Sequence, residues 1–194
     1  MTRLIIWRHG NTDWNAASRV QGQTDVPLND LGREQAHAAA PVLAALRPDA
    51  IVASDAMPLE WPDRRHDTRE WPLPPGASTH PRTSGTFARS LRLMVLEHGL
   101  WSWPEAFRRC SFLPARVLDE VAPAMRRKGR LEPGADADLV VLDPAAVTDH
   151  ATVTDPTRPS AGVRHLLVGG TFVIRDGVLD VGAYPGEPVR GVPR

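Results

Sequence analysis

A short apolar run that ends in a carboxylate and a proline constrains the fold of this chain more than any other feature. The run is AIVASDAMP, residues 50–58. Its length and its flanking turn residues are typical of a buried β-strand that ends at Ser54. Asp55 would then lie at the carboxyl end of that strand, where α/β folds place their ligands. The sequence therefore predicts an α/β fold with Asp55 at a site.

Charge balance and apolar pattern exclude several classes of partner. The 194 residues contain 23 Lys and Arg against 23 Asp and Glu, which gives no reason to expect a nucleic acid or an acidic membrane surface. The single cysteine, Cys110, fits a reducing compartment. Residues 1–9 hold too short an apolar segment for a signal peptide, and no later run is long enough to span a membrane. We expect a cytoplasmic protein that acts on a small-molecule substrate, and the sequence leaves its oligomeric state open.

Two predicted strands and a helix between them form the first unit. Residues 4–7, LIIW, are an apolar run that predicts a strand, and residues 51–54 predict the second one. Asn29 is expected to cap a helix that runs to about Leu46, and Pro41 is expected to kink that helix. A strand, a helix and a strand in this order predict a small right-handed parallel βαβ unit.

Basic and polar side chains follow the first predicted strand. Arg8 and His9 come directly after it, and a series of amide, hydroxyl and guanidinium side chains follows within residues 11–22. An imidazole that is partly neutral near pH 7 can attack phosphorus, while these donors suit the charge on phosphate oxygens. An isolated Arg-His pair would more simply be part of a surface loop, but the neighbouring residues favour phosphoryl chemistry.

The run RHGNTDWNAASRVQGQTDVPLNDLGREQA resembles the start of the histidine phosphatase family, the relatives of phosphoglycerate mutase. The resemblance implies a phosphohistidine at His9. It implies a phosphate pocket at Arg8, Thr12, Asn15 and Gly22. Two further parts of such a site are missing, because Met57 and Pro58 stand where the family has an arginine, and the one later His-Gly pair, His98-Gly99, lies in a predicted helix.

The remaining chain is predicted to contain a loop, helices and a small antiparallel β unit. Residues 56–83 carry six prolines and little periodicity, which predicts a loop. A helix should end with Gly99 as its C′ residue, another should begin at Ser102, and a short one should cover residues 112–118. Residues 137–144 predict a strand, and the Gly169-Gly170 and Asp176-Gly177 pairs predict turns between strands 163–168, 171–175 and 178–179.

Three motifs of this part, SDAMP, HPRTSGTFARSLR and LEPGADADLVVLDPAAV, resemble the C-terminal end of the amidohydrolase superfamily, closest to N-acyl-D-amino-acid deacylases. The resemblance runs from about Ser54 to about Leu179. It implies the remnant of a TIM-barrel end followed by strands of a β-sandwich. It also implies that Asp55 is a catalytic acid/base that handles the proton of a metal-bound water, and that His80 and Arg82 lie near the substrate.

Metal ligands are not evident in the sequence. The chain contains no His-x-His pair, and zinc requires three protein ligands, of which Asp55 could be at most one. His150 and His165 have no partners at metal-ligand spacing and are expected to be structural. No metal ligand and no cofactor are therefore predicted for the chain as it stands. Zinc would be expected if the amidohydrolase interpretation holds.

Both resemblances meet at Ser54 and Asp55, which predicts a hybrid chain. The predicted segments are a phosphatase-like one at 1–55, a proline-rich loop at 56–83 and an amidohydrolase-like one at 84–194. Three functions remain open. The first is an amidohydrolase-type C–N hydrolase by descent, truncated and weakly active or inactive. The others are a phosphoester hydrolase that acts through His9 and a non-catalytic hybrid fragment.

Overall fold

The computed structural model of the chain describes residues 11–19, 26–45, 52–61 and 71–191, which belong to two units. The first unit is Met1–Ala50 and the second is Ile51–Arg194. The predicted strand at residues 4–7 lies outside the described residues. The predicted segment boundaries at 55 and 83 remain predictions.

The described residues of the first unit form two helices. A single turn, α1, covers Asp13–Ala16, and a longer helix, α2, covers Asp30–Ala45 with Pro41 inside it. Asn29 Oδ1 accepts a hydrogen bond from the Gly32 amide at 2.9 Å, which satisfies one of the unpaired donors at the start of α2. The predicted cap is therefore confirmed.

The helices of the second unit include the predicted stop at Gly99 and start at Ser102, while the first of them begins at Pro81, within the predicted loop. They are α3 (Pro81–Leu91) with a π-helical continuation Arg92–Glu97, α4 (Trp103–Phe107) with a π-helical continuation Arg108–Phe112, α5 (Leu113–Leu118) and a 3₁₀ turn (Pro123–Arg127). Gly99, at φ 60°, follows the C-cap residue His98, and Ser102 caps α4 by accepting the Glu105 amide. Both are the predicted cap residues.

A four-stranded antiparallel sheet completes the second unit. Its strands pair in chain order and are β1 (Leu139–Leu142), β2 (Val163–Val168), β3 (Thr171–Arg175) and β4 (Val178–Leu179). Gly169 and Gly170 take positive φ angles in the β2–β3 turn, as a tight hairpin requires. The predicted antiparallel β unit is thus confirmed.

The predicted second strand of the parallel unit is wrong. Residues 52–59 belong to no strand, although residues 52–54 are part of an apolar run. The Val52 amide donates to the Arg109 carbonyl at 3.0 Å, and Glu60 forms an isolated bridge with Ser78. A strand needs a continuous hydrogen-bonded neighbour, and these contacts instead fix an extended loop. In the part of the chain that the structure describes, the fold is helices with an antiparallel sheet.

A small core joins the helices to the sheet. Leu91, Ala106 and Val147 are buried together, and Leu142 and Trp103 pack against them. These residues come from α3, α4, β1 and the loop after β1, so burial of apolar surface holds the C-terminal end of α3 against α4 and that loop. None of the described helices has the length and apolar character needed to cross a membrane.

Candidate functional site

Thr12 and Asn15, predicted to bind phosphate, cap α1. Thr12 Oγ1 accepts from the Asn15 amide at 3.2 Å, and Asn15 Oδ1 accepts from the Thr12 amide at 3.2 Å and from the Thr12 hydroxyl at 3.0 Å. Thr12 is only 2% exposed. The two side chains therefore satisfy each other in a reciprocal cap. The other predicted pocket residues, Arg8, His9 and Gly22, lie outside the described residues.

Asn11 links this cap to α2, a contact that sequence reasoning missed. Its amide donates to Gln35 Oε1 at 3.0 Å, and its Oδ1 accepts from Asn29 Nδ2 at 3.0 Å. A Cβ added to Gly32 would lie 2.0 Å from the Asn11 carbonyl oxygen. The loop before α1 therefore lies directly on the first turn of α2. Glycine at position 32 is the sequence signal for this close approach.

Asp55, the predicted acid/base, lies in a left-handed bend. Its φ is 48°, a conformation that aspartate tolerates better than most residues other than glycine. Arg82 Nε donates to the Asp55 main-chain carbonyl, and an Arg82 terminal nitrogen lies 3.3 Å from Asp55 Oδ2. The Asp55 side chain is 89% exposed. The fold thus brings two predicted site residues together and leaves the carboxylate accessible to solvent.

Two threonines that sequence reasoning missed hold the segment after Asp55. Thr83 Oγ1 accepts from the Met57 amide at 3.0 Å, and Thr79 Oγ1 donates to the Met57 carbonyl at 3.1 Å. The two hydroxyl oxygens lie 2.9 Å apart, and Thr79 is 2% exposed. They take the hydrogen-bonding role that a neighbouring strand would have had. They fix residues 55–57 against the first turn of α3.

His80 is the N-cap of α3. Its Nδ1 accepts a hydrogen bond from the Arg82 amide at 3.2 Å, and Pro81 is the first residue of the helix. An imidazole nitrogen that accepts this bond must be unprotonated. His80 therefore has a structural role at the same helix end that carries Arg82, while its part in substrate binding remains a prediction.

The described residues do not fit a zinc site. No group of three or more His, Cys, Asp or Glu side chains within them could hold a metal ion. The partner of Asp55 is an arginine rather than a second ligand. His165 Nδ1 accepts the Asp176 amide at 3.2 Å and its ring packs edge-on against Phe172. Among the described residues, zinc therefore lacks the three protein donors it needs.

A buried ion pair connects α3 to the loop after β1. Asp149 Oδ1 lies 3.0 Å from Arg92 Nε and 2.7 Å from an Arg92 terminal nitrogen, and the Asp149 side chain is 6% exposed. Burial raises the pKa of the Asp149 carboxyl, whereas the hydrogen bonds from Arg92 lower it. The lowering outweighs the effect of burial, so the pKa is below its ordinary value. The partners are 57 residues apart, and no local pattern predicted the pair.

The LEPGADAD motif has a structural explanation. Asp138 Oδ1 accepts from the Gly169 amide at 2.8 Å, and Asp138 Oδ2 accepts from Lys128 Nζ at 2.6 Å. The hydrogen bonds from Lys128 and Gly169 hold the pKa of Asp138 below its usual value, although burial opposes the shift. The carboxylate therefore anchors the β2–β3 turn to the segment before β1.

Comparison with known proteins divides the chain in the same way as its motifs. Residues 4–57 match the histidine phosphatase superfamily (branch 1). Over 53 residues, 27% of this chain and 24% of the relative, the chain is 62% identical to a glucosyl-3-phosphoglycerate phosphatase of Mycolicibacterium vanbaalenii. The resemblance to histidine phosphatases is confirmed for this segment.

The larger part is similar to deacylases. Over 101 residues, 52% of this chain and 20% of the relative, the chain is 43% identical to an N-acyl-D-glutamate deacylase of Alcaligenes xylosoxydans xylosoxydans. A crystal structure of N-acyl-D-glutamate deacylase from Bordetella bronchiseptica, complexed with zinc and a phosphonate inhibitor, matches 72% of this chain and 25% of its own at 34% identity and a TM-score of 0.53. The chain spans about a quarter or less of the length of these relatives. The second predicted resemblance is likewise confirmed.

Proposed function

Because the chain joins a histidine phosphatase segment to a longer D-aminoacylase-like one, we propose that it is a C–N-bond hydrolase of the amidohydrolase type by descent. Its substrate class would be N-acyl-D-amino acids, which are small molecules. The observation that carries this proposal is the contact of Asp55 with Arg82. Arg82 contacts both the main-chain carbonyl and the exposed carboxylate of Asp55.

An accessible carboxylate can serve both proton transfers of amide hydrolysis. Asp55 would accept the proton of the water that attacks the acyl carbon and deliver it to the nitrogen as the C–N bond breaks. The water oxygen stays on the acyl product, and the amino acid leaves as an amine. Arg82 would orient the carboxylate, and its guanidinium suits the carboxylate of an amino-acid substrate. His80 stands two residues before Arg82, at the same helix end.

Zinc would supply a Lewis acid to such a reaction, but the described residues do not fit it. We therefore expect the deacylase activity of this 194-residue chain to be weak.

The test is release of the free amino acid from N-acetyl-D-glutamate, with added zinc and with EDTA. In Asp55→Asn the rate should fall about 10²-fold or more, because a general acid/base contributes that much. Asp176→Asn is a matched control, since Asp176 has a similar φ of 51° and an exposed side chain. If Asp55→Asn and Asp176→Asn both released the amino acid as fast as the unchanged chain, the role of Asp55 would be refuted.

A second candidate is hydrolysis of phosphate esters through a phosphohistidine at His9, favoured by the family match over residues 4–57. Arg8, Thr12, Asn15 and Gly22 would bind the phosphate. Hydrolysis of p-nitrophenyl phosphate should disappear in His9→Ala and persist in His37→Ala, a control in the exposed part of α2. If both variants kept the phosphatase activity, or if both lost it, the result would argue against a catalytic role of His9. Absence of both enzyme activities would leave the non-catalytic hybrid.

A further inference from the structure

An aromatic groove in the second unit has neither Asp55, His80 nor Arg82 among its described lining residues. It has a volume of about 300 Å³ and lies between the proline-rich segment and the end of the sheet. Trp61, Trp71 and Tyr184 line it together with aliphatic side chains such as Leu179. Trp71 and Tyr184 are 45% and 55% exposed, so their rings are accessible from solvent. Several large aromatic side chains at one accessible concavity are typical of a binding site.

The aromatic lining favours a cation. The face of an aromatic ring carries negative charge density, and tryptophan attracts cations most strongly. The aliphatic part of the lining favours a ligand whose charge is surrounded by methyl or methylene groups. A hydrated inorganic ion would gain nothing from apolar walls, because it would have to lose its water there.

Among the described residues of the lining, Asp180 is the charged one. Its Oδ1 accepts from the Gly182 amide at 2.9 Å, which fixes the carboxylate. No cationic side chain in the part of the chain that the structure describes forms an ion pair with Asp180, so its negative charge is not compensated by them. The described lining therefore carries a negative charge, which favours a cation over an anion.

We propose that this groove binds a small organic cation of the quaternary ammonium class. The aromatic rings would contact its methyl groups, and Asp180 would supply the opposite charge. A volume of about 300 Å³ is at the small end of ligand pockets, which fits a single head group rather than a peptide. The proposal does not depend on the proposed function, because Asp55 and Arg82 are not among the described residues that line the groove.

Choline and its neutral carbon isostere, 3,3-dimethylbutan-1-ol, test the proposal, because they differ in charge and hardly in shape. Isothermal titration of the whole chain should show choline binding, and binding of the neutral alcohol should be about tenfold weaker or more. Equal affinities would overturn the proposal, as would the absence of choline binding.

The role of the carboxylate has its own variants. Asp180→Asn keeps the oxygen that accepts the Gly182 amide and removes the charge, so choline binding should weaken about fivefold or more. Glu187→Gln removes an exposed carboxylate outside the lining and should leave the affinity unchanged. Unfolding curves check that both variants fold. Equal affinities of the two variants for choline would refute the part assigned to Asp180.

A second copy of this chain is the alternative occupant. In that case sedimentation would show self-association that Trp71→Ser abolishes, with no choline binding by the unchanged chain. That result would overturn the proposal.

Discussion

Arg82 holds Asp55 at two points, since its Nε donates to the Asp55 carbonyl oxygen while a terminal nitrogen lies 3.3 Å from the carboxylate. The main-chain contact matters more than the ion pair, because the Asp55 side chain is 89% exposed and an exposed pair contributes little. The bond to the carbonyl stabilises a left-handed bend that most residues avoid. Arg82 thus fixes the backbone position from which the Asp55 side chain extends.

We expect Arg82→Lys to lower the free energy of unfolding by about 1 kcal/mol. A single ammonium group cannot reach the carbonyl and the carboxylate with the geometry of a guanidinium, so one hydrogen bond is lost. Urea unfolding measures the change. Arg164→Lys is the control, because Arg164 is exposed in β2 and its side chain forms no ion pair or hydrogen bond with the described residues, and it should change stability by less than ~0.5 kcal/mol. Equal effects would contradict the double contact.

Two glycines separate backbone strain from steric clash. Gly162 and Gly134 have φ angles of 90° and 87°, so an alanine at either carries a similar strain of about 1–2 kcal/mol. A Cβ at position 162 would lie 2.4 Å from the Cα of Val147, a core residue, whereas a Cβ at position 134 meets nothing within 4 Å. Gly162→Ala should therefore destabilise the chain by about 1–3 kcal/mol more than Gly134→Ala. Thermal unfolding of both variants measures this difference. Equal losses of stability would be evidence against close packing of Gly162 on Val147.

Local signals in the sequence predicted most of the second unit. The Gly169-Gly170 turn, the cap at Ser102 and the stop at Gly99 each specify an element through the backbone conformation of one or two residues. These features do not depend on distant parts of the chain. They were therefore predictable from short windows.

The wrongly predicted strand and the missed contacts both depend on residues that are far apart in the sequence. Residues 52–54 are apolar enough for a strand, but strand formation depends on a partner, and here Val52 meets only a helix carbonyl, that of Arg109. The hydrogen bonds of Thr79 and Thr83 to Met57 span 22 and 26 residues. Asp55 and Arg82 were assigned to one site from family motifs, whereas the main-chain contact between them could be found only in the structure.

Cys110 is expected to react slowly in the folded chain. Burial raises the pKa of its thiol to about 11 from an ordinary 9.0. Only the thiolate is nucleophilic, and a pKa two units higher makes the thiolate about a hundredfold rarer near pH 8. Labelling with iodoacetamide should therefore be slower by about that factor in the native chain than in guanidinium. The same rate in both conditions would show that the thiol is accessible and unshifted.

Asp149 should make the free energy of unfolding decrease as the pH falls. Its net pKa in the folded chain is below the ordinary 3.8, so the unfolded chain binds the proton more readily. The stabilisation is complete well above pH 3.8 and is lost as the pH falls through the folded pKa. Asp149→Asn should cost about 1–3 kcal/mol at about pH 6, because Arg92 loses its charged partner, and progressively less towards about pH 3. Urea unfolding at several pH values measures this difference.

Arg92 and Arg89 provide the matched control for that carboxylate. Arg92 contacts Asp149 at 2.7 and 3.0 Å with its side chain 26% exposed, whereas Arg89 lies at 3.4 Å and is 61% exposed. Arg92→Gln should therefore reduce the acid dependence strongly and Arg89→Gln only slightly, because solvent screens the exposed pair. Asp138 also has a lowered pKa, but it contributes equally to all these proteins and cancels in the comparison. A larger effect of Arg89→Gln would mean that the contact of Arg89, rather than the hydrogen bonds from Arg92, determines the pKa of Asp149.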